Sequence, residues 1–234
     1  SFFFSHHLTG IEGGIVLMRR AGEADIVRSM RAHGWIREMT DKESIALENP
    51  DIDPRFLFAT VGYNFRPTEI QGAFLIHQLQ KLEGFIEHRR DLAEYWNDAF
   101  RQDQEFFILP EERLGTRHAR FAYPFLLRPG CPFTRQALQQ HLESRGVESR
   151  QIEAGNMALQ PAMEHIKYRI GGSLENSNYI HYNGFFIGCH HAVGQAEREA
   201  VVGYVQEFLA KYRGGNNQHG QEQKGKGVQA CVYS

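Results

Sequence analysis

The chain has 234 residues, enough to bury one large core or two small ones, and its 41% hydrophobic and 23% charged content is that of an ordinary globular protein. A formal charge of −2 supplies neither a basic field for nucleic acid nor a polybasic stretch for a membrane surface. No apolar run approaches the roughly 20 residues of a membrane helix, there is no signal peptide, and three scattered cysteines (Cys131, Cys189, Cys231) form no disulfide framework, so a cytoplasmic location is expected.

Residues 1–4 read as a buried strand, 12–14 as a turn, and 15–18 as a short strand pairing back toward the first. Residues 23–33 carry apolar positions Ala24, Ile26, Val27 and Met30 at helical spacing. Residues 38–60, punctuated by Asn49-Pro50 and Asp53-Pro54, read as a long functional loop. After Pro67, which suits a first helical turn, Ile70, Phe74, Leu75, Leu79, Leu82 and Ile86 recur at helical spacing, and Leu92, Tyr95, Trp96, Ala99 and Phe100 continue it past a kink near Gly84. That stripe reads as core packing.

A second region follows Arg120. Residues 121–127 predict a strand, and 134–144 a helix with Thr134 as N-cap and Gly146 beyond its end. Residues 147–151 and 185–187 predict strands, 176–182 a short helix, and 195–212 a closing amphipathic helix, a small α/β layer. The Gly/Gln/Lys-rich residues 213–234 predict a disordered tail. The expected division is therefore 1–105, 106–212 and 213–234.

Twelve histidines raise the question of a metal, but adjacent strand residues face opposite ways, and neither CxxC nor HExxH occurs, so no metal site is expected. G-x-S-x-G, G-x-G-x-x-G and a Walker lysine are likewise absent from the sequence. What remains is a histidine at a strand end before a turn, where α/β folds place reacting groups. Imidazole can take and return a proton near neutrality. On residues alone, a packing or surface histidine is the commoner reading of such a position.

The stretch SFFFSHHLTGIEGGIV resembles the active-site segment of the DegT/DnrJ/EryC1/StrS family of pyridoxal-phosphate sugar aminotransferases. In most members the segment reads S-F-x-x-x-K-N-x-x-x-x-E-G-G, and counting back from Glu12-Gly13-Gly14 puts His6 where the lysine stands. RAHGWIR, GYNFRPTEIQGA, QLQKLEGFIEHRR and NGFFIGCHH resemble the family's histidine-for-lysine branch, the sugar 3-dehydratases, and the resemblance runs from residue 1 to about 212. It implies an α/β, type I (aspartate aminotransferase-like) fold of which this chain is the C-terminal half, truncated at its N-terminus and inactive alone. Pyridoxal 5′-phosphate and pyridoxamine 5′-phosphate are the implied cofactors. The branch with an iron–sulfur cluster clusters its cysteines between the GG and GYN motifs; residues 15–61 have none, so no cluster is expected.

The same resemblance assigns roles. His6 matches the catalytic base, Ser1 a ligand of the cofactor phosphate, and Asn64 a phosphate ligand reaching into the neighbouring subunit, which implies a homodimer with shared active sites. His33 and Arg37 match residues near the substrate. Arg66 pairs with phosphate or with a helix-end carboxylate. His7 should face away from His6, and His190 and His191 are not catalytic. The implied reaction removes the C3 hydroxyl from a nucleotide-linked 4-keto-6-deoxyhexose in deoxysugar and O-antigen biosynthesis, with L-glutamate as amino donor and no nucleic acid or membrane partner. The competing expectations are a sugar-nucleotide aminotransferase, a non-catalytic assembly fragment and a histidine-rich metal protein.

Overall fold

A computed structural model describes residues 1–213; the tail expected at 213–234 lies, beyond Arg213, outside the described residues. The described chain forms two compact units, one of Ser1–Asp91 with Ala119–Phe121, the other of Leu92–His118 with the residues from Ala122 onward.

The first unit contains helix α1 (Ala21–Arg31), helix α2 (Lys42–Glu48), a 3-10 turn at Pro54–Phe56 and the N-terminal part of helix α3 (Glu69–Ala99). The expected loop at 38–60 thus holds a helix and a 3-10 turn. Lys42, Glu43, Ala46 and Leu47 are sound helix formers, but the segment is too short for its apolar period to show. The strands expected at 1–4 and 15–18 do not form. Strands need a ladder partner, and residue 2 instead closes a loop: Phe2 N–H donates to the Gly13 carbonyl (2.9 Å), and Gly10 N–H to the Phe2 carbonyl (2.8 Å).

Helix α3 begins two residues after Pro67, with Thr68 at its N-cap. The Gln71 side chain accepts from Thr68 N–H at 2.7 Å, the reciprocal half of a capping box. The helix continues through Gly84 as a single element, since a single Gly lowers helix propensity without removing a backbone donor. Its apolar stripe divides. Ile70, Phe74 and Leu79 are 73%, 43% and 61% exposed, against the expectation of core packing, whereas Leu92, Ala93 and Trp96 are buried. Helical spacing shows that a face is apolar and says nothing of where along the helix a partner lies.

The second unit is an antiparallel sheet of order β1-β2-β4-β3, with β1 Phe107–Ile108, β2 Ala122–Leu127, β3 Ser149–Gln151 and β4 Gly184–Gly188. The register sets Tyr123 opposite Ile187 and Phe125 opposite Phe185. Along β2 every second residue (Tyr123, Phe125, Leu127) is buried, the period of a sheet with one face on a core. Phe125 and Phe185 stack 5.1 Å apart. Helices α4 (Arg135–Glu143) and α6 (Gln195–Arg213) pack against each other and contribute Leu138, Leu142, Val205 and Leu209; α5 (Glu175–Asn183) leads into β4. Thr134 caps α4 as expected, its hydroxyl accepting from Ala137 N–H at 3.2 Å. Several buried polar groups of this unit are paired: Trp96 Nε1 donates to the Arg198 carbonyl (3.1 Å), Tyr123 Oη to Asn97 (2.9 Å), and Asp103 receives Gln206 (2.7 Å) and Arg213.

Candidate active site

The segment that carries His6 is a series of turns. His6 N–H donates to the Phe3 carbonyl (3.0 Å), Ile11 adopts φ 73°, and Gly13 φ 123°. Gln71 ties the segment to α3: the side chain that caps the helix also donates from Nε2 to the Glu12 carbonyl at 2.9 Å. Leu75, one turn on, lies against Gly10, where a Cβ would sit only 3.1 Å from its side chain. Gln71 thereby links the helix start to the turn, a role its place in a T-x-x-Q capping pattern hints at.

His6 is half-buried, its ring edge-on to Phe3 (5.5 Å) and perpendicular to Phe121 (5.4 Å). No hydrogen bond from the described residues engages either ring nitrogen, so this imidazole is held by its carbons and open at its nitrogens. His7 does not face away. It packs on the same Phe121 ring at 5.5 Å, because alternation belongs to strands and residues 4–8 are turns and bends.

The other candidates gather at the end of α1. Residues His33 and Gly34 are both left-handed, φ 65° and 89°. Gly34 N–H reaches back to the Ser29 carbonyl (2.7 Å), the six-to-one bond of a Schellman ending. The next two carbonyls are taken from across the unit: Tyr63 N–H donates to Met30 (2.7 Å) and Phe65 N–H to Arg31 (2.9 Å), while His33 N–H donates to the Tyr63 carbonyl (2.8 Å). The G-Y-N-F stretch therefore caps the helix. The approach is so close that a Cβ on Gly34 would sit 1.7 Å from the Thr60 carbonyl oxygen, and one on Gly62 2.2 Å from the Gly34 nitrogen.

This docking brings four predicted residues together. Arg66 Nη2 lies 3.4 Å from His33 Nε2, and Arg66 Nε donates to Asn64 Oδ1 at 3.2 Å. The Arg37 guanidinium lies 4.0 Å over the Trp35 ring, with Arg66 5.8 Å from the same ring. Arg37 also donates from Nε and Nη2 to the Arg55 carbonyl (3.2 and 2.8 Å). No hydrogen bond or ring contact joins His6 to this cluster. Ser1 and Arg66 do share a groove of about 1090 Å³, whose lining also includes Gly13, Gly14 and residues of α1. Trp35 lies inside the RAHGWIR motif, but nothing in the sequence gives it a task.

Two carboxylates fix the frame. Asp25 accepts from Thr40 N–H (3.1 Å) and Arg28 (2.7 Å), and the hydrogen bonds from Thr40 hold its carboxyl below the usual range, tethering the chain that leaves the motif. Asp53 caps the 3-10 turn through Arg55 N–H (2.9 Å) and pairs with the Arg55 guanidinium, which lowers its pKa to about 2. That turn fixes the carbonyl on which Arg37 rests. Among the described residues no group of three or more His, Cys, Asp or Glu is placed to hold a metal, and no helix is long and apolar enough to cross a membrane.

A family model described as the DegT/DnrJ/EryC1/StrS aminotransferase family matches residues 1–206. The chain belongs to this family. It is 32% identical over 212 residues to GDP-4-keto-6-deoxy-D-mannose 3-dehydratase of Escherichia coli O55:H7, covering 89% of this chain and 53% of the relative. To the Yersinia pseudotuberculosis protein of that name it is 34% identical over 194 residues, covering 81% and 48%. A solved structure of E. coli GDP-4-keto-6-deoxy-D-mannose-3-dehydratase with bound hydrated PLP superposes with a TM-score of 0.76 at 30% identity, over 87% of this chain and 52% of that one. One of GDP-4-keto-6-deoxymannose-3-dehydratase with a trapped PLP-glutamate geminal diamine gives 0.76 at 29%, over 87% and 53%. This DegT-family chain spans about half the length of the relatives it matches, and its fold is part of the type I pyridoxal-phosphate transferase fold. Its family is one of pyridoxal-phosphate-dependent sugar aminotransferases and dehydratases.

Proposed function

We propose that the protein to which this chain belongs removes the C3 hydroxyl from a nucleotide-linked 4-keto-6-deoxyhexose, consuming L-glutamate. The observation that carries the reading is the His6 ring, clamped by Phe3 and Phe121 with its nitrogens open, in the segment whose resemblance to the family puts it where the lysine stands. An imidazole has no primary amine and cannot hold a cofactor covalently as lysine does, but it moves protons at neutral pH. Support comes from the 3-dehydratases above. A relative named lipopolysaccharide biosynthesis protein RfbH, 27% identical over 219 residues, is consistent with a role in O-antigen synthesis.

The donors present fit a phosphate. The Ser1 hydroxyl, the Asn64 amide and the Arg66 guanidinium are exposed, and Asn64 spends its oxygen on Arg66, which turns its NH₂ outward as a donor. In the proposed homodimer, Ser1 serves its own site and Asn64 the neighbouring subunit's. When bound, the pyridoxamine phosphate supplies the electron sink. His6 takes a proton at one ring nitrogen and returns it to the departing C3 hydroxyl. His33 and Arg37 bind and orient the sugar, and Arg66 neutralises phosphate charge. The net change balances: glutamate and the 4-keto sugar give 2-oxoglutarate, ammonia and the 3-deoxy-4-keto sugar.

The test uses the full-length protein with pyridoxal phosphate and L-glutamate, followed by absorbance for conversion to the pyridoxamine form, then by ammonia release after GDP-4-keto-6-deoxymannose is added. Ammonia in the native protein, with a loss of about a hundredfold or more in His6→Asn, is the expected result. A stable amino sugar would instead make the protein an aminotransferase, as another relative, UDP-4-amino-4,6-dideoxy-N-acetyl-beta-L-altrosamine transaminase, is named.

A further inference from the structure

We propose that Trp35 is the positioning residue of the substrate-facing cluster, its indole setting the orientation in which Arg37 and His33 meet the sugar; this rests on the dehydratase reading above. Arg37 is exposed, and an exposed arginine samples many rotamers unless it is held. Here one face of its guanidinium lies on the indole at 4.0 Å and one edge on the Arg55 carbonyl, which leaves Nη1 to point at a ligand. His33 meets the same indole edge-on at 5.1 Å, and Arg66 lies 5.8 Å from it. Three candidate substrate groups thus share one aromatic platform.

The indole itself is set by stacking. Phe58 lies against it at 5.6 Å and 29°, and the two backbones form an antiparallel bridge. Trp35 Nε1 is buried with no hydrogen-bond partner among the described residues, so that donor does not fix the ring. Nor is Trp35 a core filler. Trp96, which is one, is 1% exposed inside a cluster of aromatic side chains; Trp35 is half-buried, its partner Phe58 is 51% exposed, and a small cavity of about 80 Å³ opens between Trp35, Arg37, Glu38 and Arg66. A side chain in that setting orders its neighbours more than it fills space.

The experiment compares Trp35→Leu with Trp35→Phe in the full-length protein. The first readout needs no activity: the Arg37 Nε–H resonance, assigned through Arg37→Lys, is ring-current shifted in the native protein, keeps that shift in Trp35→Phe and loses it in Trp35→Leu. The second is the KM for GDP-4-keto-6-deoxymannose, which rises about five- to tenfold in Trp35→Leu and less than about twofold in Trp35→Phe, with the glutamate half-reaction at saturating pyridoxal phosphate unchanged in both. An Arg37 resonance indifferent to Trp35→Leu overturns the proposal. So do equal losses of KM, cofactor affinity and Tm in both variants, which would make Trp35 a space filler. If the resonance behaves as stated but the native protein turns over no sugar, the dehydratase reading falls and the sugar-positioning role with it.

Discussion

His33 holds a backbone conformation that costs most residues about 1–2 kcal/mol, because it stands two residues past the end of α1, just after the C-cap Ala32, where the chain turns left-handed. Replacement by Gly should therefore preserve the Tm while abolishing the contact to Arg66, and replacement by Val should lower stability by more than about 1 kcal/mol; urea denaturation of the two variants separates backbone from side chain. The ending itself was half legible: a helical pattern that stops at His-Gly announces a left-handed turn. That Tyr63 and Phe65 donate to the freed carbonyls was not, since their contact is made across some thirty residues of chain. Arg37 on Trp35 escaped for a different reason: the two stand only two residues apart, in a turn where neither a helical nor a strand period says which side chains meet. Asp53 makes a pH prediction. Its carboxyl is depressed to about 2 by Arg55, so its contribution is complete above the usual carboxylate range near 4 and is lost only as pH falls through about 2. The pair is exposed, so the effect is small and screened by salt. A chemical-shift titration of Asp53 should show no midpoint between pH 3 and 7, with Arg55→Ala restoring one near 4.

At the scale of elements, local chemistry was a good guide where the partner lies close in sequence. Thr134 is such a case, and Thr134→Ala should cost about 1 kcal/mol by loss of the Ala137 bond, measured by thermal or urea unfolding. The alternation along β2 was equally legible. The strands expected at 1–4 and 15–18 were not realised because pairing is a tertiary event: an apolar run says that a segment suits a sheet, and only a neighbouring strand makes it one. The α3 stripe teaches the complementary lesson. Its spacing is uniform from Ile70 to Phe100, yet only its second half meets a core. The first half is engaged instead through Gln71 and Leu75, at the turn that carries the candidate base.

For the whole molecule, the two units draw stability from different sources. The second holds the aromatic cluster around Phe100, Phe107, Tyr123, Phe125 and Phe185, so Phe125→Ala should cost about 3–5 kcal/mol. Hydrogen exchange should find its slowest amides on β2 and β4. The first unit has little regular sheet, only two isolated bridges, and is held by capping bonds, turns and ring contacts. All six residues assigned to the site fall in that unit. Placing reactive groups on such turns is a common arrangement, since backbone there can depart from helix and strand geometry.

The crossing of Gly34 and Gly62 carries a genetic consequence. At each a Cβ would meet the backbone of the facing segment, at 1.7 Å for Gly34 and 2.2 Å for Gly62. A clash with a side chain can be relieved by trimming that side chain; a clash with a main-chain carbonyl offers nothing to trim. A selection for second-site suppressors of Gly34→Ala should therefore recover revertants to glycine and no compensating substitution elsewhere in the chain.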